Sequence, residues 1–282
     1  MKKIIDKAIE IIFLILACIS IVAVLLVCYF MFSEGLPAIK EIGAGNFLTG
    51  KVWRPGNDIY GIFPMILGSL YVTAGALVIG VPIGLFMAVY MAKFCPVKVY
   101  KIAKPIVNLL AGIPSVIYGF FGMMIVVPFV RDYIGGNGFS ILAASIILGI
   151  MILPTIISVS ESAIRAVPES YYEGALALGA TKEISVFKAV LPAAKSGILA
   201  AITLGIGRAI GETMAVAMVV GNQPRVPGSI LDGVRTLTTN IVTEMGYATD
   251  LHREALIATG VILFVFILII NFLLAFLKRR RD

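Results

Sequence analysis

Two ionisable residues interrupt an otherwise uncharged apolar run. Arg208 and Glu212 stand in Gly205-Ile-Gly-Arg-Ala-Ile-Gly-Glu-Thr-Met214, within the run 196–224. Crossing about 30 Å of hydrocarbon takes about 20 helical residues, and Arg208 falls near the middle of such a span. An arginine there costs about 2.5–3.5 kcal/mol on insertion scales, so packing alone is a poor reason to retain one. On a continuous helix the four-residue spacing puts both side chains on one face. Gly207 and Gly211, one before each, thin that helix so that a backbone or a hydrated cavity can approach. Three chemistries fit. The charges neutralise each other as an ion pair; or Arg208 offers its planar fork to an anion, phosphate above all, while Glu212 holds and releases it; or the two relay a proton. The last lacks any further intramembrane carboxylate or histidine to extend the path.

Other chemistries find no residues to carry them. His252 is the single histidine, so a histidine-based metal site is not assigned. Cys18, Cys28 and Cys95 sit in or beside apolar runs with no CxxC spacing and read as small buried hydrophobes. Gly174 and Gly179 have the glycine spacing of a phosphate-binding loop, but Ala180 stands where a lysine is needed and no strand precedes it. No Gly-x-Ser-x-Gly or His-Glu-x-x-His pattern occurs. The sequence thus assigns no catalytic residue, cofactor or metal site.

The elements that must position Arg208 and Glu212 are membrane helices. Hydrophobic residues make up 60% of the chain and charged ones 14%, with a mean hydropathy of +1.02; a soluble domain has about 45–50% apolar and about 25% charged residues. Six spans follow, at 11–32, 61–92, 105–130, 133–160, 196–224 and 255–277. The expected fold is all-α and polytopic, one membrane domain over 1–282. The first run continues past Cys18 and is too long for a secretion-signal core. With the N-terminus inside, fifteen Lys and Arg lie on the inner side and seven on the outer, with Arg208 between them. The net charge of +7 is then a topology signal in a lipid setting and no nucleic-acid footprint. It predicts a plasma-membrane protein with both termini cytoplasmic. Pro82 and Pro154 are expected to bend their spans and Pro114 to free a carbonyl in mid-membrane; Gly80 and Gly84 allow close helix approach. Segments 33–60 and 222–254 read as polar outer loops, Trp53 as an interfacial ring, and Glu161 with Arg165 as a modest surface pair.

Between the fourth and fifth spans lies a polar island, about 166–192. It reads as two short helices: Pro168 and Glu169 open the first, Gly179 ends it in a left-handed conformation, Thr181 caps the second and Pro192 closes it. Glu173, Gly174, Ala175, Gly179, Leu191 and Pro192 resemble the coupling loop of ABC-importer permeases: Glu-Ala-Ala, three residues, Gly, nine residues, Ile-x-Leu-Pro. Gly174 stands where that pattern has Ala, and Ala189 where it has Ile. The motif around Arg208 and Glu212, the run Ala111-Gly-Ile-Pro-Ser-Val-Ile-Tyr-Gly119, Arg235-Thr-Leu-Thr-Thr and Glu244-Met-Gly246 are similar to the PstC-type permeases of phosphate-specific ABC importers. That resemblance implies half of a translocation pathway for inorganic phosphate, with Arg208 and Glu212 on it. It also implies a second homologous permease, two copies of an ATP-hydrolysing subunit gripped by the coupling loop, and an extracytoplasmic phosphate-binding protein. Two other readings remain: a permease for sulfate or molybdate, and a membrane scaffold that docks a kinase through the same loop.

Overall fold

A computed structural model describes residues 2–279, with the side chains of 2–5, 8, 274, 275 and 277–279 outside the description. The charges of Lys2 and Lys3 and of the tail 278–281, which the topology argument uses, therefore lie outside the described residues. Helix α1 runs Lys2–Ile42 and the short α2 Ala44–Thr49. An antiparallel hairpin follows, β1 Trp53–Arg54 with β2 Ile59–Tyr60, Trp53 facing Tyr60. Then come α3 Phe63–Phe94, α4 Val97–Gly112, α5 Ser115–Ile134 and α6 Ile141–Arg165. The inner segment holds α7 Glu169–Ala177 and α8 Lys182–Ala193, and α8 meets α9 Lys195–Gly211 at a 70° bend. The chain ends with α10 Met214–Val219, α11 Leu237–Glu244 and α12 Asp250–Arg279. Among the described residues five helices are long and apolar enough to cross a membrane, six if the bent pair α8–α9 counts as one.

The core is built on α6. Its Ile147, Leu148, Met151, Ile152 and Ile156 are fully buried, and α3 lies along it. Gly75, Gly80 and Gly84 make that approach possible: a Cβ on Gly75 would sit 2.2 Å from Ser145 Oγ, and one on Gly80 2.8 Å from the Gly149 carbonyl oxygen. The expected close packing at Gly80 and Gly84 is thus found, with α6 as the neighbour. By contrast α1 presents Phe13, Leu14, Val24 and Val27 outward, the pattern of a lipid-facing helix.

Several boundaries differ from the sequence reading, each for a local reason. Helix α1 runs ten residues past position 32 and through Pro37, because Gly35 lets α12 close to within contact at Ala258 and Val261. The fourth span starts at Ile141 rather than at 133. Gly135, Gly136 and Gly138, all at positive φ, form the preceding turn, and Ser140 caps the helix by accepting from Ala143 N at 3.2 Å. The segment 222–254 is not a free loop. Val234 N donates to Val220 O, Leu237 N to Ser69 Oγ at 2.9 Å, and Thr236 caps α11 with a reciprocal hydroxyl pair, so the segment threads back into the bundle.

Candidate functional site

The run containing Arg208 and Glu212 is broken between them. Helix α9 ends at Gly211, Glu212 is extended (φ −70°, ψ 129°), and α10 begins at Met214. The two side chains therefore do not share one helical face. Arg208 Nη1 donates instead to Thr155 Oγ1 on α6, at 3.2 Å. Glu212 Oε1 accepts from Ala215 N at 3.3 Å, occupying an amide that the start of α10 leaves free. Among the described residues no ion pair joins Arg208 to Glu212. The helix interruption is the reason: it turns the carboxylate toward α10. Thr238 Oγ1, on the returning segment 222–254, donates to Glu212 O at 3.2 Å and helps to hold the break.

A second break lies close by. Pro114 does not bend its span but splits it, with Gly112 ending α4 and Ser115 starting α5. The Leu110 carbonyl oxygen accepts from Tyr118 OH at 2.9 Å. The helices beyond the two breaks pack on each other: a Cβ on Gly119 of α5 would stand 2.9 Å from Ala215 Cα of α10. Paired discontinuities inside a bundle are where membrane proteins expose backbone dipoles to a polar solute. Around them Gly112, Gly207 and Gly211 all face open space, since an added Cβ on any of the three meets nothing within 4 Å.

The inner segment folds as its sequence suggests up to its last residues. Gly179 is left-handed at φ +88°, and Thr181 Oγ1 accepts from Ile184 N at 3.4 Å. Pro192 does not end α8; the chain turns at Ala194, where the 70° bend begins. Val167, Val186, Val190 and Ala194 pack beneath, against Ala88, Val89 and Ile164. Glu173, Gly174, Gly179 and Pro192 are exposed, Ala175 and Leu191 half-buried. Leu178 is 91% exposed, and Tyr171, Ile184 and Phe187 of the same segment are also exposed. Sequence reasoning passed over Leu178, which stands just before the left-handed Gly179.

At each end of the bundle sits a buried carboxylate that the sequence reading undervalued. Glu161, taken as half of a surface pair, is 1% exposed and accepts from Tyr100 OH (2.7 Å), Lys104 Nζ (2.7 Å) and Arg165 Nε (2.8 Å). At the outer end Glu244 accepts from Trp53 Nε1 (2.8 Å) and Arg235 Nη1, and its Oε2 lies 2.9 Å from His252 Nε2. Trp53 is therefore a core residue, 4% exposed, because the hairpin brings its indole to a buried acceptor. Burial opposes ionisation of Glu244, but the bonds from Trp53, His252 and Arg235 outweigh it and hold its carboxyl below the ordinary carboxylate range. Beside this cluster opens a cavity of about 480 Å³ lined by Asp58, Tyr60, Tyr247 and His252.

Residues 80–282 match the family of binding-protein-dependent transport system inner membrane components. The chain belongs to that family. Among its relatives is a probable ABC transporter permease, YqgH of Bacillus subtilis, 38% identical over 94% of this chain and 88% of that one. The phosphate transport system permease PstC of Mesorhizobium japonicum is 32% identical, over 89% of this chain and 83% of the relative. A probable PstC of Methanocaldococcus jannaschii is 31% identical, over 100% and 97%. A bacterial alginate ABC transporter shares the fold of this permease at a TM-score of 0.67 and 18% identity, over 97% of this chain and 96% of that one. The MetNI methionine ABC transporter does so at a TM-score of 0.58 and 24% identity, over 79% and 94%.

Proposed function

We propose that this permease forms half of an ATP-driven import pathway for inorganic phosphate and works by alternating access. The observation that carries the reading is Arg208. Its guanidinium is half-buried, bonded to a neutral threonine and free of any carboxylate partner among the described residues, beside two broken helices and three glycines that face open space. A planar cation so placed suits the bidentate recognition of an oxyanion. Glu212, occupied in starting α10, keeps the break in shape rather than competing for the arginine. The names of the relatives supply the substrate: phosphate.

The permease hydrolyses nothing itself in this reading. The coupling segment around Glu173 and Gly179 seats on one copy of a cytoplasmic ATPase, and the homologous second permease seats on another. An extracytoplasmic binding protein delivers phosphate to the outer mouth. Both termini are cytoplasmic, and the chain works as one membrane domain with its coupling loop at about 166–192.

The test is uptake of labelled phosphate by the assembled transporter. Arg208→Gln should abolish uptake while assembly survives; unchanged kinetics would remove the anion role. Competition by sulfate and molybdate separates phosphate from other oxyanions. Glu173→Ala and Gly179→Pro should leave the protein inserted but disconnect uptake from ATP hydrolysis. Gly179→Pro is the stronger probe, because its φ of +88° is closed to proline.

A further inference from the structure

The carboxylate Glu161 lies at the end of a series of polar contacts, linked at one step through the backbone of α3, that starts on the coupling segment. Glu169, in the first turn of α7, pairs with Lys93 at 2.9 Å, and the Lys93 ammonium also lies 5.3 Å from the centre of the Tyr172 ring. Lys93 belongs to the last turn of α3. Two residues earlier, the Met91 carbonyl accepts from Arg165 Nη2 at 2.6 Å. Arg165 then reaches Glu161 and lies with its guanidinium 4.6 Å from the centre of the Tyr100 ring. Glu161 in turn takes Tyr100 and Lys104 of α4, the helix that leads to the break at Ile113 and Pro114.

We propose that Glu161 is the positioning residue of an inner clamp that makes α7, α3, α6 and α4 move as one body when the coupling segment is displaced. The clamp rests on the coupling role given above. Its physical basis is directional. Apolar packing beneath the segment resists separation but allows sliding, whereas charge-assisted bonds of 2.6–2.9 Å fix both distance and angle. A buried carboxylate that draws donors from two helices onto one point resists such sliding. Helix α4 is the lever that matters, because its far end is bonded through the Leu110 carbonyl to Tyr118 of α5, the helix that packs on α10.

Glu161→Gln keeps the shape and removes the charge; Glu161→Asp keeps the charge and is the rescue control. In the assembled transporter, Glu161→Gln should raise the ratio of ATP hydrolysed to phosphate imported by about tenfold, within the usual range of coupling between sites. Glu161→Asp should bring the ratio most of the way back. Hydrogen exchange with and without nucleotide gives a reading that does not depend on the transported solute. In the wild type, nucleotide should change protection in 169–177 and 97–104 together, and in Glu161→Gln in 169–177 alone. If Glu161→Gln keeps the joint response and the wild-type ratio, or loses uptake and hydrolysis in equal proportion, the clamp is refuted. A wild type that imports no phosphate yet shows the joint response, with Glu161→Gln losing it, would overturn the substrate assignment and uphold the clamp.

Discussion

Glu161 and Glu244 are both buried, both hold three donors, and sit at opposite ends of the same helical bundle, yet their partners differ in kind. The donors to Glu244 are enclosed: the Arg235 side chain is 13% exposed and that of His252 14%, with Trp53 in the core. At Glu161 the cations are long and wet, Arg165 with 45% and Lys104 with 27% of the side chain exposed. The outer cluster is a fixed joint. At Glu161 the cations reach solvent while their charged ends are held on one buried carboxylate.

Removing each carboxylate tests this contrast most strongly. Glu244→Ala strands Arg235 in the interior and should lower stability by about 3–5 kcal/mol, the usual effect of leaving a buried charge unpaired. Glu161→Ala should cost less, about 1–3 kcal/mol, because Lys104 and Arg165 can turn to water. Thermal unfolding of the detergent-solubilised protein compares the two, and equal losses would break the contrast.

Acid sharpens it further. The Glu244 carboxyl is depressed on folding, so its contribution is complete above its unfolded value of about 4.3 and is lost as pH falls through the lower folded value. Stability of the wild type should decline below about pH 4, and Glu244→Gln should flatten that part of the profile. An unchanged acid slope in the variant would show that other groups set it.

A smaller loss, about 1 kcal/mol, is expected for Trp53→Phe, which removes one donor while His252 still meets the same oxygen. At the foot of the scale stand Gly207→Ala and Gly211→Ala. Neither Cβ meets anything within the chain, so each should leave stability unchanged or raise it by up to about 1 kcal/mol. Intact folding with impaired uptake would identify that face as the one used in transport.

How much of this was legible depended on the range of the forces involved. The existence of the apolar runs, though not all their bounds, the close approach at Gly80 and Gly84, the left-handed Gly179 and the cap at Thr181 follow from local chemistry. Arg208 stood out because a charge in an apolar run is a local anomaly. What local chemistry did not show was the break after Gly211, since Gly and Thr are tolerated in helices and the bond from Thr238, far along the chain, helps to hold the interruption. The same holds for Glu161 and Trp53. Each became a core residue through a partner far along the chain, Tyr100 in one case and Glu244 in the other, and no spacing rule reports such pairs.

One of those long-range bonds bears on how the protein is made. Trp53 waits 191 residues for Glu244. During synthesis its indole leaves the ribosome with its acceptor not yet translated, and the outer joint closes only after every helix between them has entered the bilayer. A chain that stops short of Glu244 leaves that indole without this acceptor.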